Sequence, residues 1–242
     1  APNASDFTWE TVVTKNIGLD LGLLNNRLNM TADIYVRDTK DMLMASKDLP
    51  NVYGASSPKT NAANLRTKGW EASISWNDSF NLKGKAFHYS VVLGLADNTT
   101  KVTKYNNDNK TLGTPYEGQQ LGEIWGYVVD GLFKTDEEAE NYPVNQSYVN
   151  NILNISVKSQ GLHAGDVKYV DLDGDNIISP TLSANDVKDQ KVIGNSLPRY
   201  TYSVRLAADW NGIDFSALLQ GVGRQHWYPN GETSLFLSLI HI

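Results

Sequence analysis

The chain has 242 residues, no cysteine, a formal net charge of −6 and a mean hydropathy of −0.38. This excludes disulfides and thiolate metal sites, and the acidic balance argues against nucleic acid or an anionic membrane surface as a partner. No apolar run approaches the roughly 20 residues of a spanning helix. That rules out a helical membrane protein but not a β-barrel, whose strands hide half their residues from hydropathy averaging.

Residues 1–6 have neither a basic start nor an apolar stretch, so no export signal is visible; an exported chain is then expected to be mature or truncated. Ile17, Leu19, Leu21 and Leu23 alternate with polar residues, and beyond Asn25 and Asn26 the alternation resumes at Leu28, Met30, Ala32, Ile34 and Val36. Strict period two marks a strand with one apolar face, and asparagine takes the positive φ of a tight hairpin turn at low cost. Residues 38–67 pass through Pro50, Gly54 and Pro58 and are expected to be irregular. A second pair of runs follows, Trp70, Ala72, Ile74 and Trp76, then Phe87, Tyr89, Val91, Leu93 and Leu95, joined by a polar turn expected over residues 77–83. Next comes an excursion of about a hundred residues, far beyond ordinary loop lengths and therefore functional. Within it, residues 123–133 read as a short strand or strand pair. Thr135 to Glu138 forms a capping box that starts a helix ending before Pro143. Residues 148–159 give no clear signal. A third hairpin runs from Tyr200, Tyr202, Val204, Leu206, Ala208 and Trp210 through Asn211-Gly212 to Ile213, Phe215, Ala217 and Leu219.

The hairpins span about residues 9–37, 68–96 and 199–222, with the long loop at about 97–198. Their opposite faces carry Asp20, Arg27, Asn29, Asp33, Glu71, Ser73, His88, Ser90, Arg205, Asp209 and Gln220. Each run holds about five apolar positions, the roughly ten residues with which a tilted strand crosses hydrocarbon. Aromatic residues gather at run ends, as an interfacial girdle demands. Short turns on one side and long connections on the other complete the pattern of an all-β, antiparallel transmembrane β-barrel portion. It has about six long strands in three hairpins and is an incomplete barrel. A soluble sandwich is the competing fold, but its strands are usually five or six residues long.

Asp171, Asp173 and Asp175 stand at alternate positions of a tight loop, the arrangement by which carboxylates converge on a hard cation such as calcium. Asn176 takes the place of the usual glycine, and Leu182 occupies position twelve, where it cannot ligate. Asp186 is a further candidate ligand. His88, His163, His226 and His241 have no partner at metal or triad spacing, and there is no nucleophile elbow or phosphate loop. The expectation is that the chain is not an enzyme. Tyr105, Tyr116, Trp125, Tyr127, Phe133, Tyr142 and Tyr148 are loop aromatics able to stack on sugars or apolar side chains, with Tyr105 and Tyr142 the freest.

The stretch from Pro115-Tyr116-Glu117-Gly118 through Glu123-Ile124-Trp125-Gly126-Tyr127 to Leu132-Phe133 resembles SusC/RagA-type TonB-dependent outer-membrane transporters. So do Gly165-Asp166-Val167-Lys168-Tyr169-Val170-Asp171 and Val192-Ile193-Gly194-Asn195-Ser196-Leu197-Pro198-Arg199-Tyr200. The likeness covers about residues 9–228; residues 234–242 match nothing and are expected to be an anomalous tail. The resemblance implies part of the C-terminal wall of a barrel of about 22 strands with a plugged lumen. The plug domain is expected to be absent from the chain. It also implies import of oligosaccharides, glycans or peptides in the outer membrane of a Gram-negative, Bacteroidetes-type bacterium. The implied partners are a SusD-like surface lipoprotein, the TonB–ExbB–ExbD system and outer-membrane lipid. The family pattern places a further aspartate before Val-Ile-Gly, which makes Asp189 the expected fourth calcium ligand, although an insertion near residues 179–187 separates it from the triad. The rival reading is a soluble, calcium-stabilised β-rich carbohydrate-binding or adhesion module.

Overall fold

The computed structural model describes residues 8–45, 59–152 and 162–227. Six strands build one antiparallel sheet: β1 (Thr11–Leu23), β2 (Leu28–Ala45), β3 (Lys59–Leu82), β4 (Lys85–Lys104), β9 (Arg199–Trp210) and β10 (Ile213–Arg224). Their order in the sheet is β1-β2-β3-β4-β9-β10, so every neighbour is also the next long strand along the chain. Between β4 and β9 lie four short strands, β5 (Glu123–Tyr127), β6 (Val129–Leu132), β7 (Val167–Tyr169) and β8 (Gln190–Asn195), and two short helices, α1 (Asp136–Glu140) and α2 (Ser147–Ile152). The chain divides into two units. One is the sheet with residues 117–121, and the other holds residues 107–116 and 122–195.

Directly opposed residues share a face, so the register converts the period-two pattern into rows. One row of the wall reads Leu23, Leu28, Trp76, Val91, Leu206 and Ala217, and the next Leu21, Met30, Ile74, Leu93, Val204 and Leu219. A third reads Leu19, Ala32, Ala72, Leu95, Tyr202 and Gly221. On β4 the apolar positions run from Phe87 to Leu95, and Asp97 continues their parity. Ten residues of strand span about 33 Å, which at a tilt near 40° rises about 25 Å, the height of an outer-membrane apolar band. Phe80, Phe87 and Tyr89 cluster at the short-turn end with ring centroids 5.0 to 6.3 Å apart, and the Trp76 indole donates to the Tyr89 hydroxyl at 3.2 Å. The apolar face is left open: Ile17 is 82%, Ile34 68% and Phe215 59% exposed.

The strands are longer than the alternation predicts. β2 continues to Ala45 and β3 begins at Lys59, so residues 38–45 and 59–67 are strand rather than irregular chain. Polar residues hide this extension, because above the apolar band neither face needs to be greasy. The turn expected over residues 77–83 shrinks to Lys83-Gly84, both at positive φ (51° and 80°), with Leu82 opposite Lys85. Asn211-Gly212 is a two-residue turn of the same kind, as expected (φ 51° and 82°). The first turn is longer than expected: Leu24 to Arg27 separate the paired Leu23 and Leu28, and Leu24, Asn25 and Asn26 all take positive φ. Beyond Ala96, where the pairing with β9 stops, residues 117–121 run beside β4 instead; the Val102 amide donates to the Gln119 carbonyl and the Leu121 amide to that of Thr100, both at 2.9 Å.

The second unit carries the buried core of the described residues. Phe133, Ile178, Gln146 and Asp189 are all under 2% exposed. Residues 123–133 do form two strands, but these pair with β8 and β7 rather than with each other. Thr135 caps α1 as its sequence predicts, its hydroxyl accepting from the Glu138 amide at 3.1 Å. Glu138 turns back to the Lys134 amide at 2.9 Å. α2 covers the start of the stretch that gave no clear signal; residues 153–161 and the tail at 234–242 lie outside the described residues.

Candidate functional site

The polar face of the wall is built by the same register one residue out of phase. Its central row reads Asp20, Thr31, Ser73, Gly94, Ser203 and Gln220. Beside it Asp33 stands directly opposite Glu71, and nearer the short turns Asp209 stands directly opposite Asp214 with His88 on its other side. Like charges facing across a ladder are unfavourable. None of these five acids has an ion-pair partner within 4.0 Å among the described residues. With Arg205 as a cation on the same face, the five acids leave a net negative, hydroxyl-rich surface. His88 sits on this face, as its parity predicts.

At the opposite end of the apolar face two carboxylates are clamped by arginine. Arg199 grips Asp97 with two bonds of 2.5 Å, and Asp97 is only 8% exposed. The Tyr200 amide adds a third bond at 3.3 Å, reached because Tyr200 takes a left-handed φ of 55°. Two rows further up, between β2 and β3, Arg66 holds Asp38 through contacts of 2.6 and 3.2 Å. Sequence reasoning missed both pairs. The signal was available: Asp97 extends the odd-numbered apolar run of β4, and a charge at such a position needs a partner.

In the second unit Glu123 ties two motif segments together. Its carboxylate accepts from the Tyr116 hydroxyl and, at 2.9 Å, from the Trp125 indole. Burial, then the Glu123 carboxylate, push the Tyr116 hydroxyl up to about 12. Phe133 packs edge-on against Tyr142 at 5.1 Å, and Tyr127 meets Tyr169 at 5.6 Å. Tyr142 also donates to the Tyr169 carbonyl at 3.0 Å. Tyr142, expected to be free, is thus part of the packing with Tyr116, Tyr127 and Phe133, whereas Tyr148 is 45% exposed. The Tyr127 hydroxyl is buried with no hydrogen-bond partner among the described residues, and burial raises it to about 12.

The acidic loop brings three of its predicted ligands together. Carboxylate oxygens of Asp171, Asp173 and Asp175 all lie within 4.8 Å of one another. Backbone amides shape the loop: Gly174 and Asn176 donate to Asp171 at 2.7 and 2.8 Å, and Ile177 donates to Asp175 at 2.8 Å. Gly174 and Asn176 adopt φ 81° and 63°, so Asn176 does assume the left-handed turn expected of it. Burial pushes the Asp171 carboxyl up, but the Asn176, Gly174 and Asp175 amides together outweigh it and hold it below the usual carboxylate range. Asp189 is not with the triad. Fully buried, it accepts from the Leu172 amide at 2.8 Å and from the Ser179 amide at 2.8 Å, stapling the two ends of the loop. Asp186 is exposed and lies 3.8 Å from the Lys188 ammonium, which also stands 3.4 Å from Asp173. Three convergent oxygen donors fit a hard cation, with Lys188 neutralising part of their charge.

The family model described as TonB dependent receptor-like, beta-barrel, matches residues 1–236. TonB-dependent receptor P39 of Formosa agariphila is 30% identical over 244 aligned residues, covering 88% of this chain and 22% of that protein. Receptor P26 of the same organism is 25% identical, covering 97% of this chain and 23% of its own length. The chain thus spans less than a quarter of these relatives. Among solved structures, the RagAB peptide transporter superposes with a TM-score of 0.61 at 18% identity, over 90% of this chain and 21% of that one. The RagAB peptide importer in its open-open state gives 0.60 at 19% identity, over 88% and 20% of the two chains. At such identities these two likenesses speak for the fold alone.

Proposed function

The chain belongs to the TonB-dependent receptor-like β-barrel family, and from that premise we propose that its parent protein imports oligosaccharides, other glycans or peptides. It is an outer-membrane β-barrel segment of a Gram-negative, Bacteroidetes-type bacterium. Family membership sets aside the rival soluble binding module. The observation that carries the import reading is the two-faced wall: an apolar band of hydrocarbon height on one side, an acid-rich polar surface on the other. Both edges, β1 and β10, lack a second neighbour among the described residues. Such a sheet needs further strands to satisfy its edges in lipid.

In this reading the polar face lines the lumen, the excursion between β4 and β9 lies outside the cell, and TonB–ExbB–ExbD supplies the energy. A SusD-like surface lipoprotein serves as partner, as the SusC/RagA-type motifs imply; the peptide cargo is suggested by the structural neighbours, a peptide transporter and a peptide importer. No wall residue is assigned a reaction. Uptake of the cognate labelled oligosaccharide or peptide is expected to vanish when the receptor or TonB is deleted, and to fall sharply without the lipoprotein. Uptake persisting in the strain lacking TonB overturns the reading.

Asp171, Asp173 and Asp175 hold calcium in this proposal, as a structural clip for the excursion, with Asp189 supporting the loop rather than ligating. Calcium is expected to slow tryptic cleavage at Lys188 and a chelator to restore it. Equal cleavage rates in both conditions remove the clip.

A further inference from the structure

Carboxylate oxygens within 4.8 Å of one another leave Asp171, Asp173 and Asp175 with three negative charges in one tight loop. The amides of Gly174, Asp175, Asn176 and Ile177 that donate to them supply dipoles, not a compensating charge. Independently of these acids, the chain brings its own cation to them. The Lys188 ammonium stands 3.4 Å from an Asp173 oxygen and 3.8 Å from one of Asp186. These two partners differ in setting, since the Asp173 side chain is 24% exposed and that of Asp186 77%. Asp171 and Asp175 have no ion-pair partner within 4.0 Å among the described residues.

Lys188 is anchored from its backbone. Its amide donates to the Thr181 hydroxyl at 2.9 Å, and Thr181, itself buried, donates its amide to the Gln190 side chain at 2.9 Å. The next residue, Asp189, is fully buried against the Leu172 and Ser179 amides. With the chain fixed, only the four-carbon stem is free, and the ammonium chooses between an inner and an outer carboxylate. Part of the entropy loss that normally cancels an exposed ion pair is removed by this anchoring.

We propose that Lys188 is a tethered cation that guards the acidic loop: it lies on Asp173 until a divalent ion arrives, then withdraws to Asp186, and so sets the calcium concentration at which the loop fills. The proposal rests on the calcium reading above and adds its regulation. One charge offsets three only in part, so calcium still tightens the loop when it displaces the lysine. Asp186, outside the triad, keeps the displaced ammonium paired, which gives this residue a part other than ligation. An ammonium roughly 5 Å from a bound divalent ion opposes it by about ten-fold in affinity once water and salt screen the pair. That opposition moves a three-carboxylate loop toward the weak range of extracellular calcium modules, about 0.1 to 1 mM.

The test uses the whole receptor purified in detergent, with calcium alone as the probe, titrated calorimetrically. Lys188→Met keeps the stem and removes the charge, and is expected to bind calcium about ten-fold more tightly than the wild type. Asp186→Asn is expected to weaken binding in the wild type and to have little effect in Lys188→Met, because a receiving carboxylate matters only while there is a lysine to receive. Equal effects of Asp186→Asn in both backgrounds overturn the exchange, as does an unchanged affinity in Lys188→Met. A second readout needs no calcium. In chelator, thermolysin cleavage at the exposed Leu172 and Ile177 is expected to be several-fold faster in Lys188→Met than in the wild type, and equal rates overturn the tethered cation. Absence of calcium binding in both proteins overturns the calcium reading together with the exchange, whereas equal, measurable binding in the two overturns the exchange alone.

Discussion

The wall and the excursion are stabilised in opposite ways. In the wall, adjacent strands are joined by continuous ladders, yet among its large residues Ile17, Leu19, Ile34 and Phe215 are more than half exposed. In the excursion the strands are three to six residues long, but Phe133 and Ile178 are at most 1% exposed, and Gln146 bridges the Val167 carbonyl at 2.8 Å. One region is finished by what surrounds it, lipid outside and further strands at its edges. The other contains its own core. A surface excursion of this length needs such a core, since polar backbone without regular ladders must be satisfied locally.

The largest expected effect tests the self-contained core. Phe133→Ala should cost about 3–5 kcal/mol by leaving a cavity beneath Tyr142, read as faster proteolysis of the excursion in the intact receptor while heat-modifiability of the barrel is unchanged. Should the barrel lose heat-modifiability too, the two regions are not separately stabilised. Next comes the face distinction within the wall. Leu93→Arg, near the middle of the apolar band, should destabilise by about 2–4 kcal/mol in a bilayer. Ser203→Arg, on the neighbouring strand but the polar face, should leave folding into liposomes nearly unaltered. Comparable losses in the two variants would remove the assignment of lipid and lumen faces.

A smaller effect sharpens the account of the acidic loop. Asp189→Asn keeps the shape but replaces one acceptor with a donor, leaving the Leu172 or Ser179 amide unpaired at a cost of about 1–3 kcal/mol. Hydrogen exchange at those two amides should speed up with or without calcium. If only the calcium-loaded form changes, Asp189 is a ligand after all. The smallest effect is electrostatic. The Lys134 amide, then Lys168, hold the Glu138 carboxyl below its ordinary value of 4.5, so its contribution is present above that pH and fades as pH falls through the lowered value. Lys168, paired with Asp130 at 3.1 Å and Glu138 at 3.4 Å, is held above 10.5, and its contribution fades only as pH rises past that raised value. Protection of the Lys134 amide, corrected for intrinsic exchange, should therefore be flat between these limits and drop on the acid side.

Much of this was legible in the chain itself, because a strand's period of two needs no knowledge of its neighbours. Ile17 to Leu23 and Tyr200 to Trp210 announce their faces, Asn211-Gly212 its turn, and Thr135 its helix cap. The outer extensions of β2 and β3 were illegible, since above the membrane neither face is selected for apolarity.

What the sequence alone determined is therefore the alternation, the turn chemistry and the motif set that identify a membrane wall. Only the tertiary structure decided which residues oppose one another. Register is a property of pairs of strands, and it is register that sets Asp33 against Glu71 and Asp38 against Arg66 and brings Asp97 to Arg199. The same holds for Asp189: seventeen residues from Leu172 and ten from Ser179, it is buried by folding between two backbone amides that donate to it.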